Sequence, residues 1–70
     1  MRFKNLEAEI ARAGLSVEEV GHEIGFAKAL MYNRLAGKTN WTLIDMLKIQ
    51  KIINDKTQSH NTLDYLFAKG

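Results

Sequence analysis

Seventy residues, 46% of them hydrophobic, suffice for one small domain with a small core and no more. The chain has no cysteine, which excludes disulfides and thiolate metal sites, and His22 and His60 stand alone without ligand spacing, so no metal and no cofactor is expected. The net charge is only +2, no apolar run approaches the ~18 residues of a membrane span, and the start "MRFKNLEAEI" is amphipathic and acidic rather than signal-like, so a cytoplasmic protein with no membrane partner is expected.

Apolar residues recur at helical rather than alternating spacing throughout, and there is no proline or internal repeat. The chain therefore reads as all-α, a compact bundle of four to five helices forming a single domain over residues 1–70. A first helix is predicted from about Asn5, a good N-cap, to Ala13, with Leu6 and Ile10 on one face and Gly14 as its stop. A second opens with "SVEE", where Ser16 can cap the amide of Glu19 while the Glu19 carboxylate reaches back, a capping box. Val20 and Ile24 face inward on it, and Gly25 ends it. A third runs from near Ala27 to Ala36, with Met31 and Leu35 as its buried stripe and Gly37 as its breaker. A fourth starts at Thr42, whose hydroxyl can cap the amide of Asp45, and continues to about Asn54 with Leu43, Met46, Leu47, Gln50 and Ile53 inward. The polar stretch "NDKTQSHN" reads as a loop. A short last helix, "TLDYLF", packs Leu63, Leu66 or Phe67 on the domain or on a partner.

Charge is unevenly spread along these elements. Residues 1–26 hold Arg2, Lys4 and Arg12 against Glu7, Glu9, Glu18, Glu19 and Glu23. Residues 27–56 hold Lys28, Arg34, Lys38, Lys48, Lys51 and Lys56 against only Asp45 and Asp55. A basic middle suits a polyanionic partner.

The second and third predicted helices are separated only by Gly25 and Phe26, a turn too tight for an ordinary antiparallel hairpin. On these residues the chain resembles the lambda repressor and Cro, or XRE-like, helix-turn-helix family. Over residues 17–36, Gly21 stands at the unit's small fifth position and Gly25 at its glycine ninth. Val20, Ile24, Phe26 and Met31 stand at its apolar fourth, eighth, tenth and fifteenth. The fifth position lies where the two helices touch, and the ninth turns with positive φ. The stretches "NLEAEIARAGLS", "LAGKTNWTL" and "LDYLF" resemble the first helix, the segment after the third helix and the ending of short phage-type regulators of that family. The chain departs from the family at three places. Gly21 replaces the usual alanine at a cost of roughly 0.5–1 kcal/mol in helix propensity. Val17 replaces a glutamine that holds phosphate, and Ala27-Lys28-Ala29 replaces a more polar start of the third helix.

The resemblance implies a sequence-specific double-stranded DNA-binding regulator, a repressor or Cro-like switch, reading an operator in the major groove with helix 3. Carried onto this chain, the base-reading residues are Lys28, Ala29, Tyr32 and Asn33, which share an arc of roughly 140° at 100° per residue, with Met31 off it. Lys28 can donate to guanine O6 and N7 or to a phosphate. Asn33 can pair with adenine, and Ala29 can touch a thymine methyl. Tyr32 can contact a base edge or a phosphate, or pack on helix 2. Phosphates fall to Ser16, Ala27, Lys38, Thr39 and Asn40. Arg34 lies opposite the reading arc, and Trp41 reads as core rather than as a stacking platform. A homodimer is implied, because one such unit covers one half-site, and Leu30, Ile44, Ile49, Ile52 and Phe67 exceed what a small core holds. The competing reading is a protein-interaction module on the same fold with weak or lost readout. "GKT" at 37–39 is not a phosphate-binding loop, since that motif needs a glycine where Tyr32 stands. No set of nucleophile, histidine and carboxylate has catalytic spacing, so neither an enzyme nor a small-molecule ligand is expected.

Overall fold

The computed structural model describes residues 3–69, so Arg2 of the charge balance lies outside the described residues. Its elements are α1 (Lys4–Arg12), α2 (Val17–Glu23), α3 (Lys28–Leu35), α4 (Leu43–Thr57) and α5 (Leu63–Leu66). The protein is an all-α bundle, with no strand among the described residues.

Local chemistry sets most of the helix ends. Ser16 Oγ accepts from the Glu19 amide at 3.1 Å while the Ser16 amide donates to the Glu19 carboxylate at 2.9 Å, the expected capping box. Thr42 Oγ1 accepts from the Asp45 amide at 3.2 Å, and Thr62 Oγ1 from the Tyr65 amide at 3.1 Å. α2 ends on Gly25, at φ 82°, where a side chain would be strained. The Gly25 amide donates to the His22 carbonyl and the Phe26 amide to the Gly21 carbonyl, the paired bonds of a Schellman turn. The same pair of bonds closes α1 at Gly14–Leu15 and α3 at Gly37–Lys38.

α1 begins differently from its expected form. Asn5 is not an N-cap; the helix starts at Lys4, behind Phe3, and has no side-chain cap. Phe3 is buried among core residues, which draws the chain into the helix early, and the freed Asn5 amide donates to the Tyr65 carbonyl at 2.9 Å. Leu6 and Ile10 face inward as expected, and Glu9 is buried with them. Glu9 is satisfied on both oxygens, by the Tyr65 hydroxyl at 2.9 Å and by Arg12 Nε at 3.3 Å.

The core comprises Phe3, Leu6, Ile10, Val20, Met31, Leu35, Ile49, Ile53 and Leu66, with Leu15, Val17, Ile24, Phe26, Trp41 and Phe67 packed against it. Trp41 belongs to this shell, in edge contact with Phe3 at 6.1 Å and Phe67 at 5.3 Å between ring centres. Leu66 packs on the domain, so α5 closes the bundle against α1 and α4.

α4 turns the expected face inward only in part: Ile53 is buried and Met46 and Gln50 are half-buried, as expected. Leu43 and Leu47, expected inward, are 59% and 46% exposed, and Ile49, expected to be surplus, is fully buried beside Ile53. The helix is apolar on two faces, so its spacing alone does not choose between them. The choice is made at its start, where Asp45 is turned inward by an ion pair with Arg34 at 3.0 Å. Ile49 and Ile53 follow Asp45 at four-residue steps and are carried in with it. α4 also runs to Thr57 rather than Asn54, and Gln58 takes the left-handed turn at φ 54°. Half of the expected loop is therefore helix. Asn54 becomes a hub: its Oδ1 accepts from the Asn61 amide at 3.0 Å and its Nδ2 donates to the Asn61 carbonyl at 3.1 Å.

Candidate nucleic-acid interface

α2 and α3 pack against each other across the Gly25–Phe26 turn, at the place that the small residue Gly21 opens. Gly21 is buried, and a Cβ built on it would stand 2.5 Å from Met31 Cγ. Met31 fills the space that an alanine methyl would share, which is the physical reason for glycine at this position.

α3 is held along both edges of its buried stripe. Met31 and Leu35 point into the core with no exposure. At about 100° per residue, Tyr32 and Arg34 lie on opposite sides of that stripe. Tyr32 Oη donates to Glu18 Oε1 on α2 at 2.7 Å. Arg34 pairs with Asp45 at the start of α4, and its guanidinium carbon lies 4.8 Å from the ring centre of Phe26 and 5.8 Å from that of Trp41. Arg34 is thus a strut between α3 and α4, with only 15% of its side chain exposed.

The face left over belongs to Lys28, Ala29, Asn33 and Ala36, all exposed. Three of the four expected base-reading residues therefore share an open surface. Tyr32 lies at the α2 edge of this surface, half-buried, and its hydroxyl proton is given to Glu18 in a hydrogen bond while the oxygen keeps a lone pair. That bond holds the Glu18 carboxyl below its usual range, with Lys28 adding to the effect, and pushes the Tyr32 phenol above its own.

Helix N-termini divide the expected phosphate ligands. At Ser16 the backbone amide already donates to the Glu19 carboxylate and the hydroxyl oxygen accepts from the Glu19 amide, and the first turn of α2 carries Glu18 and Glu19. An anion is already seated there. α3 is different: Ala27 gives it no side-chain cap, its first turn holds no acid, and Lys28 is its first residue. Its leading amides are open to an anion. Lys38, Thr39 and Asn40 are exposed beyond its other end. Thr39, Asn40 and Lys69 line one shallow hollow of about 390 Å³. Sequence reasoning missed Lys69, a cation supplied by the far end of the chain, and Glu18, which lies 14 residues from the tyrosine it holds.

No family model, characterised protein or solved structure matches this chain.

Two further surface features lie away from α3's open face. Leu43, Ile44 (66% exposed) and Leu47 form an apolar strip on α4. A groove of about 790 Å³ between α2 and α4 is lined by Leu15 and Ile52, by Glu19 and Glu23 from α2, and by Lys56 and the Lys51–Asp55 ion pair from α4. Leu30 and Ile52 are half-buried, so of the residues read as surplus only Ile44 is fully turned to solvent. Among the described residues no helix is long and apolar enough to cross a membrane.

Proposed function

We propose that the protein is a sequence-specific double-stranded DNA-binding transcriptional regulator, of repressor or Cro-like type, that lays α3 in the major groove. The observation that carries this reading is the outward face of α3: an uncapped, acid-free N-terminus continuous with exposed Lys28, Ala29 and Asn33, on a helix braced from both sides. A phosphate fits the open amides of the first turn, and Lys28 and Asn33 carry the donor and acceptor groups that tell base pairs apart. Lys38, Thr39 and Asn40 supply backbone contacts beyond the other end of the helix. Two copies would read half-sites about 10 base pairs apart, centre to centre.

The test is binding to an operator-sized duplex selected from a random pool. Affinity is expected to fall with salt at a log–log slope of about −0.9 per neutralised phosphate, and to be lost in Lys28→Ala/Asn33→Ala. Unchanged binding by that double variant sinks the assignment of the site.

The exposed Leu43–Ile44–Leu47 strip favours a second reading, a protein-interaction module on the same fold. Failure of every duplex to bind at low salt, together with capture of a protein partner that Ile44→Glu abolishes, would select it.

A further inference from the structure

Tyr32 is ordinarily an ambiguous reader, because a phenol hydroxyl has one proton to donate and lone pairs to accept with. Here the ambiguity is removed. The proton is spent on Glu18 Oε1 at 2.7 Å, a short bond to a carboxylate that is fully charged at neutral pH and has Lys28 nearby. Whatever Tyr32 then offers to a group in front of α3 is a lone pair. Glu18 itself offers only acceptors. The α2-facing edge of the interface is therefore acceptor-only at these two side chains, beside the donors of Lys28 and the open amides.

An acceptor has no use for a phosphate oxygen, which is also an acceptor. In the major groove the bases divide cleanly on this point: cytosine presents an N4 amino group and adenine an N6 amino group, whereas guanine presents O6 and N7, and thymine O4 and a methyl. We propose that Tyr32 reads an exocyclic amino group, of cytosine or adenine, and that Glu18 is the positioning residue that makes it an acceptor. This rests on the DNA-reading role given to α3 above. It assigns Glu18 a task that its sign would otherwise oppose: a carboxylate at the rim of a polyanion's site lowers affinity, and here it sets specificity.

The experiment is parallel selection from a randomised duplex pool with the wild-type protein, Tyr32→Phe and Glu18→Gln, each first shown to be folded by circular dichroism. Preferences are scored at each position relative to the pool average, so that a uniform gain in affinity from removing the Glu18 charge cancels. The wild type is expected to enrich cytosine or adenine at one position. Tyr32→Phe is expected to lose that preference about 5- to 100-fold there and nowhere else. In Glu18→Gln the amide can turn its Nε2 to donate to the phenol oxygen, which leaves the phenol proton to point outward, and the variant is expected to admit guanine or thymine at the same position. Binding with no positional change in either variant overturns the proposal while leaving α3 as the reader. So does a change confined to overall affinity. Loss of all sequence preference in the wild type overturns the reading beneath it, a result distinguishable from the first two.

Discussion

Gly21→Ala is the most informative single substitution, because two principles give it opposite signs. In a helix interior alanine is better than glycine by about 1 kcal/mol, so propensity alone predicts a more stable protein. Packing predicts the reverse. The added Cβ would stand 2.5 Å from Met31 Cγ and 3.3 Å from the Phe26 carbonyl oxygen. Met31 has no exposed surface, and the atom in conflict is near the root of its side chain rather than at its mobile end. Crowding of this kind costs about 1–3 kcal/mol. The expected balance is a loss of about 1 kcal/mol, read as a fall of roughly 4–8 °C in thermal midpoint for a domain of this size. The sign should reverse when the conflict is removed. In a Met31→Ala background the γ carbon is gone, and Gly21→Ala is expected to stabilise by up to about 1 kcal/mol. Because Met31→Ala alone costs about 2–5 kcal/mol, the four proteins are compared in a stabilising osmolyte. A coupling energy of about 1–3 kcal/mol is expected from the cycle. A rise in midpoint for Gly21→Ala in the wild-type background would refute the packing account of this glycine.

Asp45→Ala leaves the Arg34 guanidinium without its carboxylate in a site only 15% exposed, and is expected to cost about 3 kcal/mol in urea unfolding. Asp45→Ala combined with Arg34→Met, which removes the stranded charge, is expected to recover part of that loss. The Tyr32–Glu18 bond gives a pH signature. The Glu18 carboxyl is held below 4.5, so its contribution is present above that pH and fades as pH falls through the lowered value. The Tyr32 phenol is pushed above 10.0, so its contribution is present below that pH and fades as pH rises through the raised value. The difference in thermal midpoint between wild type and Tyr32→Phe is thus expected to be flat from about pH 5 to 9 and to shrink on both sides; a constant difference at all pH would count against the bond. Asn54→Ala strips the Asn61 amide of its partner, while the Asn61 carbonyl keeps the Gln50 side-chain amide at 3.0 Å, and is expected to cost about 1–3 kcal/mol, with amide exchange accelerating first between Thr57 and Asn61.

The parts of the fold that sequence spacing made legible are those decided within one helical turn. Ser16 with Glu19, Thr42 with Asp45, and the glycines at 14, 25 and 37 mark the ends because capping and left-handed turns involve neighbours in the chain. Met31 and Leu35 were legible as the buried stripe of α3 for the same reason. α4 was not, because Leu43, Leu47, Ile49 and Ile53 offer two apolar faces and the ion pair that selects one spans from Arg34 to Asp45. Asn54 looked like loop because its polar partners at Ser59 and Asn61 are supplied by the returning chain. Of the candidate interface, Lys28, Ala29 and Asn33 were legible from the helical arc. Ser16 was read as a phosphate ligand from its place at a helix start, and the capping box that begins α2 sets the Glu19 carboxylate on its amide. Tyr32 was left between packing on helix 2 and touching a base, and the position of Glu18 on the neighbouring helix fixes where its hydroxyl proton goes.

The contacts that tie α1 to α5 have a consequence for the order of folding. Asn5 meets Tyr65 across 60 residues of chain and Glu9 meets it across 56, whereas Tyr32 reaches Glu18 across 14. Loop-closure entropy grows with the logarithm of the span, so the longer ties begin about 1.2 kcal/mol behind the shorter one. The α2–α3 unit is the portion able to assemble from sequence neighbours, and the α1–α5 tie is expected to close last and open first. Phe3, Phe67 and Trp41 meet at that tie, so the only tryptophan in the chain is a fluorescent reporter of the final step. A refolding trace in which far-ultraviolet dichroism runs ahead of tryptophan emission would record the two events separately.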